Sequence, residues 1–290
     1  MSKFSASVWA LAIVFCAFGV GCGDSGPSVP DSPDGTVLAI SKGLTEGKPE
    51  ILWAMLPPSY QKDVNDLKKE FADKVDTELY DKGFTIARKA LSVLKAKKDF
   101  ILENKMLFMM TGMNKDKVSR NWDKVISLGE TLINSDLNTV ASLKALDVAG
   151  FLRGTGAKLM KQGEAISAMT EKDPYANEFL AEMKNIKVAV VSSEGDKAIL
   201  KITTPGEGAQ EETFMKVEGR WVPRRMAAEW QDSIAEAREA LASMDKAKFV
   251  KNKAKIMGVM AMVETTLDEL AKADTAEKFN TLVGELMGSF

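Results

Sequence analysis

The chain has 290 residues, with 39 Lys and Arg against 41 Asp and Glu, no histidine and two cysteines. A net charge of −2 and an aromatic content of 7% argue against nucleic acid as a partner, which would call for a basic stripe or base-stacking platforms. The missing imidazole removes Ser-His-Asp and Cys-His nucleophile chemistry and every His-bearing zinc site; carboxylate pairs, lysine chemistry and oxygen-ligated calcium survive.

The amino terminus has the three-part plan of an export signal. Lys3 is its positive start, Val8–Phe18 is an uncharged apolar run, and Gly19-Val20-Gly21-Cys22 closes it with small residues. The run is shorter than the roughly 20 apolar residues a bilayer span needs. Gly23-Asp24-Ser25-Gly26-Pro27 follows it in place of a basic stop-transfer cluster, so cleavage is expected over a retained anchor. Val20-Gly21-Cys22 resembles the lipobox of bacterial lipoproteins, with Gly19 standing where that family prefers Leu. The alternative is an ordinary secretory signal that happens to contain Cys22. Cysteine use separates the two, because Cys16 leaves with residues 1–21 and Cys22 would remain as a lone thiol in an oxidising compartment. Acylation removes that liability. The resemblance implies a lipid, palmitate included, on Cys22 and a cell-envelope location facing the periplasm, with the membrane as a partner through that lipid. Residues 22–35 are rich in Gly, Ser, Pro and Asp and read as a flexible tether. Without Lys3, the balance is 38 basic to 41 acidic side chains.

About 255 residues remain to fold, enough for one sizeable core. Helices are predicted over Thr36–Glu46 and Pro49–Leu56, broken at Gly47. After Pro57-Pro58, the spacing of Tyr60, Val64, Leu67, Phe71 and Val75 marks a helix with one buried face. Phe84, Ala87, Leu91 and Leu94 repeat the pattern, with Lys95–Lys98 as a solvated end. Further helices are predicted over Lys117–Ile133 and Thr139–Met169, the second interrupted by Gly150, Gly154 and Gly156, and another is started by Asp173-Pro174.

At Ile186 the period shifts towards two. Strands are predicted over Ile186–Val191, Ala198–Thr204, Glu212–Val217 and Arg220–Met226, the last pair joined by a two-residue turn at Glu218-Gly219. Helices follow over 227–288, including a seam of Ile256, Met260, Val263, Leu267 and Leu270 and a cap of Asp274 with Glu277. The expected fold is therefore α+β and mainly helical: one multi-helix domain over 36–290 with a small four-stranded antiparallel meander at about 186–226.

Several clusters carry candidate chemistry. Gly154-Thr155-Gly156-Ala157-Lys158 has the look of a phosphate loop but lacks the Gly-Lys-Ser/Thr ending and a preceding strand, so a helix kink is the better reading. Met106, Met109, Met110 and Met113 suit either a Cu(I) carrier or, more simply, an adaptable core stripe; Met257, Met260 and Met262 make a weaker case. Glu207, Glu211 and Glu212 lack calcium-loop spacing and fit a solvated loop. Arg220, Arg224 and Arg225 cannot all face one pocket from a regular strand. Lys246, Lys248, Lys251, Lys253 and Lys255 offer contact with anionic lipid or a solvated helix face.

Gly47-Lys48-Pro49-Glu50 between paired helices, with Val217-Glu218-Gly219-Arg220-Trp221-Val222 at the end of the sheet, resembles the nuclear-transport-factor-two-like (cystatin-like) superfamily. There such a Trp packs over the sheet, and enzymes place His and Asp in the pocket. With no histidine, the resemblance implies a binding or structural member. No cofactor, metal or catalytic residue is expected. The leading expectation is a lipid-anchored envelope protein that binds or scaffolds a protein or small ligand; a carboxylate-based hydrolase or lyase beside the sheet is the alternative.

Overall fold

The structure, a computed structural model, describes residues 27–111, 114–167, 182–206, 208–244 and 246–288. Among them are fourteen α-helices, one π-helical turn and one antiparallel sheet of four strands in meander order. The chain is thus α+β and mainly helical, as the switch in apolar period predicts. Contacts gather it into two compact units, where the sequence suggested one domain. Unit 1 is drawn from Met1–Lys74, Ala141–Lys161 and Tyr175–Met244, and unit 2 from Val75–Val140, Gln162–Pro174 and Asp245–Phe290.

Unit 1 begins with α1 (Pro33–Thr45), which starts three residues before the expected Thr36. The reason is local: Ser32 accepts from Gly35 N–H at the cap, and Pro33 is pre-shaped for a first helical turn. The tether expected to reach residue 35 therefore already contains helix. Gly47, at φ 71°, ends α1. Lys48 N–H returns to Gly43 O at 2.8 Å and Gly47 N–H to Leu44 O at 3.0 Å, the paired bonds of a glycine helix stop. α2 (Glu50–Ala54) then doubles back, and Gly43 lets Ile51 close on α1.

The strands are β1 (Lys187–Glu194), β2 (Lys197–Thr204), β3 (Gly208–Val217) and β4 (Arg220–Pro223). Ala198, Leu200, Phe214 and Trp221 form one apolar face, and Val37 of α1 packs into it together with Ile186. Glu218 and Gly219 both take positive φ, 48° and 77°, the twist a two-residue hairpin requires. β3 starts four residues before the expected Glu212, and β4 stops at Pro223 instead of Met226. Pro223 cannot continue a ladder as donor, and Arg224 opens α12 (Arg224–Ser243).

α3 (Pro58–Lys74) packs on α12: the Tyr60 and Trp230 rings stack at 4.0 Å and 4°, and Trp230 Nε1 donates to Asp63 at 2.9 Å. The buried face of α3 is Tyr60, Val64, Lys68 and Ala72; Leu67 and Phe71, expected there, are only half-buried. The remaining helices from this part of the chain are α9 (Val140–Ala145), α10 (Val148–Phe151) and α11 (Ala157–Ser167), with a π turn at Leu152–Gly156 before α11.

Unit 2 holds α4 (Thr77–Ala96), α5 (Lys98–Glu103), α6 (Lys105–Thr111), α7 (Lys115–Arg120), α8 (Trp122–Ile133), α13 (Lys246–Lys272) and α14 (Ala276–Gly288). Leu91, Ile101, Trp122, Ile126, Leu267, Leu270 and Phe279 form its core. The helix expected over Lys117–Ile133 breaks at Asn121 into α7 and α8. Lys97, expected in a solvated end, instead donates to Ala273 O, and α5 follows at once. Thr275, not Asp274, caps α14, accepting from Lys278 N–H at 3.3 Å. The helix expected from Asp173-Pro174 starts outside the described residues.

Two glycines test the packing. A Cβ at Gly43 would lie 2.6 Å from Ile51 Cγ2, whereas one at Gly83 in α4 meets nothing within 4 Å. Gly43→Ala should lower unfolding free energy by about 1–2 kcal/mol, overpacking outweighing the helix preference for Ala. Gly83→Ala should raise it by about 0.5–1 kcal/mol. Urea denaturation of both variants checks the pair.

Candidate functional site

Cys22 lies outside the described residues. The nearest described stretch, Pro27–Ser32, is docked on unit 1. Val29 packs against the cluster of Ile40, Leu44, Ile51, Leu52, Met55 and Met183. Asp31 O accepts from Trp221 Nε1 at 3.2 Å, and its carboxylate meets Lys216 Nζ at 2.6 Å. Antiparallel pairing puts Lys216 directly opposite Trp221, so both side chains share one sheet face. There the Lys216 ammonium stands 5.7 Å from the indole centroid. The hydrogen bond and charge of Lys216 hold the Asp31 carboxyl below its ordinary pKa. Asp31 is 86% exposed, so the ion pair contributes little; the indole bond and Val29 do more to hold the segment. From Val29 onward, the expected tether is part of the fold.

A second polar feature escaped the sequence reading. Lys68 is 2% exposed, and its Nζ donates to Leu146 O at 3.0 Å and Lys144 O at 3.4 Å. Burial, with Lys69 beside it, pushes the ammonium pKa down against the pull of Asp147. Here its donors are spent on the carbonyls that end α9, which makes it a helix cap. The spacing Tyr60, Val64, Lys68, Ala72 was the available signal, masked by the more apolar Leu67 and Phe71.

The residues singled out from sequence fall on different elements, although Arg224 and Arg225 lie near enough to Glu212 to act on its carboxyl. Met109 is 81% exposed on α6 and so is no part of a core stripe. Leu107 and Phe108 do pack on the unit 2 core. Met106 and Met110 belong to α6, and Met113 falls outside the described residues. On α13, Met257 and Met260 are half-buried and Met262 is exposed. Gly154–Gly156 lie in the π turn and Lys158 in α11, and no strand precedes them among the described residues.

Glu207 is outside the described residues and Glu211 is exposed. Glu212 is different. It pairs with Leu200 on the apolar face, just where β4 has ended, and burial pushes its carboxyl pKa up while Arg224 and Arg225 pull it down. Arg225 is also held by Glu229 at 2.9 Å, and Arg220 starts β4. In the lysine tract, Lys253 is paired with Asp76 at 3.0 Å and Glu78 at 2.7 Å, while Lys251 and Lys255 are exposed. Lys246 and Lys248 belong to α13.

No helix among the described residues is long and apolar enough to cross a membrane. Comparison with known proteins finds no matching family model, curated protein or solved structure.

Lys68 makes stability depend on pH with a definite sign. Its folded pKa lies below the unfolded value, so the unfolded chain binds the extra proton between the two, and wild type gains stability as pH rises through that window. Measured by urea unfolding at neutral and alkaline pH, wild type should gain on Lys68→Met as pH rises. A constant difference between the two proteins would contradict the assignment.

Proposed function

We propose that this chain is a lipid-anchored protein of the bacterial cell envelope, exported by residues 1–21, cut before Cys22, and held to a membrane through lipid on that sulfur. One observation carries the reading: once the leader is gone, Cys22 is the sole thiol, and it stands at the point where an uncharged apolar run ends in small residues. On this reading the folded units bind or scaffold an envelope protein or a small ligand, and no catalysis is assigned to them.

Expression of the full chain with its own leader, followed by mass spectrometry of the envelope fraction, tests the proposal. The expected amino-terminal residue is Cys22 carrying a thioether-linked diacylglycerol. Cys22→Ser should shift the protein out of the detergent-soluble membrane fraction. A free thiol at Cys22, or residues 1–21 still attached, would overturn it.

A further inference from the structure

The two edges of the sheet differ. β4 is four residues long and stops at Pro223, which has no N–H to donate to a further strand. β1 is eight residues long, contains no proline and, among the described residues, pairs on one side only, with β2. Every residue of β1 except Val188 is exposed. Val190 and Val191 are 46% and 51% exposed. The other large apolar side chain exposed among the described residues of unit 1 is Leu38, on α1, which packs against β1. A long, valine-bearing edge without proline is a template for another strand.

The ends of β1 carry opposite charges, Lys187 and Glu194. In two copies of the strand laid antiparallel about a two-fold axis, these can oppose each other only if both point to the same sheet face, since residues directly opposite share a face. In a regular strand, residues an odd number of positions apart point to opposite faces. The bulge between Val190 and Ser192 removes that conflict. Before it, Lys187 and Ala189 lie opposite Thr203 and Lys201; after it, Ser192 and Glu194 lie opposite Ile199 and Lys197. Those β2 partners alternate along one face, so Lys187, Ala189, Ser192 and Glu194 share that face. Val188, Val190 and Ser193, opposite Ile202, Leu200 and Ala198, share the other. A two-fold register therefore matches Lys187 with Glu194, Val188 with Ser193, Ala189 with Ser192 and Val190 with Val191.

We propose that the free edge of β1 is a homodimer interface: a second copy of this chain pairs with it antiparallel, Lys187 opposite Glu194 and Val190 opposite Val191, and joins the two sheets into one. The strand edges supply backbone hydrogen bonds, and the valines supply apolar burial. The two Lys187–Glu194 pairs are solvent-exposed and individually weak; their part is to fix the register. The pleat holds it too, because a slip of one residue sets Lys187 opposite Ser193, which points to the other face. The edges left over are those of β4, short and ended by proline.

Register-specific cross-linking tests this on the full chain, purified in mild detergent as Ala189→Cys and as Ser192→Cys, both exposed positions. Under mild oxidation, a mixture of the two should form a disulfide between position 189 of one molecule and 192 of another, identified by peptide mass spectrometry. Either variant alone sets its added cysteines about 10 Å apart and should give about tenfold less of the 189–189 or 192–192 bond. Lys187→Glu and Glu194→Lys should each weaken dimerisation by about tenfold, read by light scattering over a dilution series, and the double swap should restore it. That restoration separates lost pairing from lost folding. A chain that stays monomeric throughout the series and forms no 189–192 bond would overturn the proposal. So would bonds formed as readily by either variant alone, a double swap no better than the single ones, or cross-linking of position 192 only to another polypeptide.

Discussion

The apolar face of the sheet in unit 1 is too small to stand alone and needs a cover. Ala198, Leu200, Phe214 and Trp221 lie on it with exposures of 4% or less, and α1 supplies the lid through Val37. Burying side chains of this size contributes about 1.5–3 kcal/mol each, which a two- or three-stranded remnant without α1 would forfeit. The rest of the amino-terminal geometry follows from placing that helix. Ser32 and Pro33 set its start, Gly47 its end, and Ser41 Oγ ties it to Met183 O at 2.6 Å. Beside the seated α1, Val29 packs against the cluster of Ile40, Leu44 and Met183, and Asp31 meets Lys216 and the indole of Trp221.

Lysine has a recurring second use in this chain. Lys68 donates to carbonyls at the end of α9, Lys74 to Leu241 O near the end of α12 at 2.7 Å, and Lys97 to Ala273 O just after α13. Helix C-termini leave carbonyls without partners and carry partial negative charge, so a long cation suits them. Each also reaches an element distant in sequence. Lys253 works similarly on acids, meeting Asp76, which itself caps α4, and Glu78 in its first turn. A chain with no histidine and few aromatics thus uses Lys for long-range polar ties. These ties are invisible in composition, where the same residues read as solvated charge.

What was legible in the sequence divides along the same line. The switch from helical to strand period at residue 186, the Glu218-Gly219 turn and the stop at Gly47 are written in local chemistry and were readable. Boundaries moved where a neighbouring residue supplied a better cap, as Ser32 did for α1 and Thr275 for α14. The division into two units was not readable, because an apolar stripe states that a face is buried and not against what. Leu267 and Leu270 join Leu91 and Trp122 in one core, while Val37 and Leu200 share another. The candidate site was the least legible. Asp31 looked like tether, and only the register opposing Lys216 to Trp221 shows what receives it.

The account depends on α1 and the sheet being one cooperative unit, with the lead-in fastened to it. Native-state hydrogen exchange tests that directly. The amides of Ile40 and Ser41 in α1 and of Leu200 in β2 should open with free energies equal within about 1 kcal/mol. Exchange of the α1 amides several kcal/mol more easily than that of Leu200 would mean that the helix lifts away while the sheet persists, and would contradict the account.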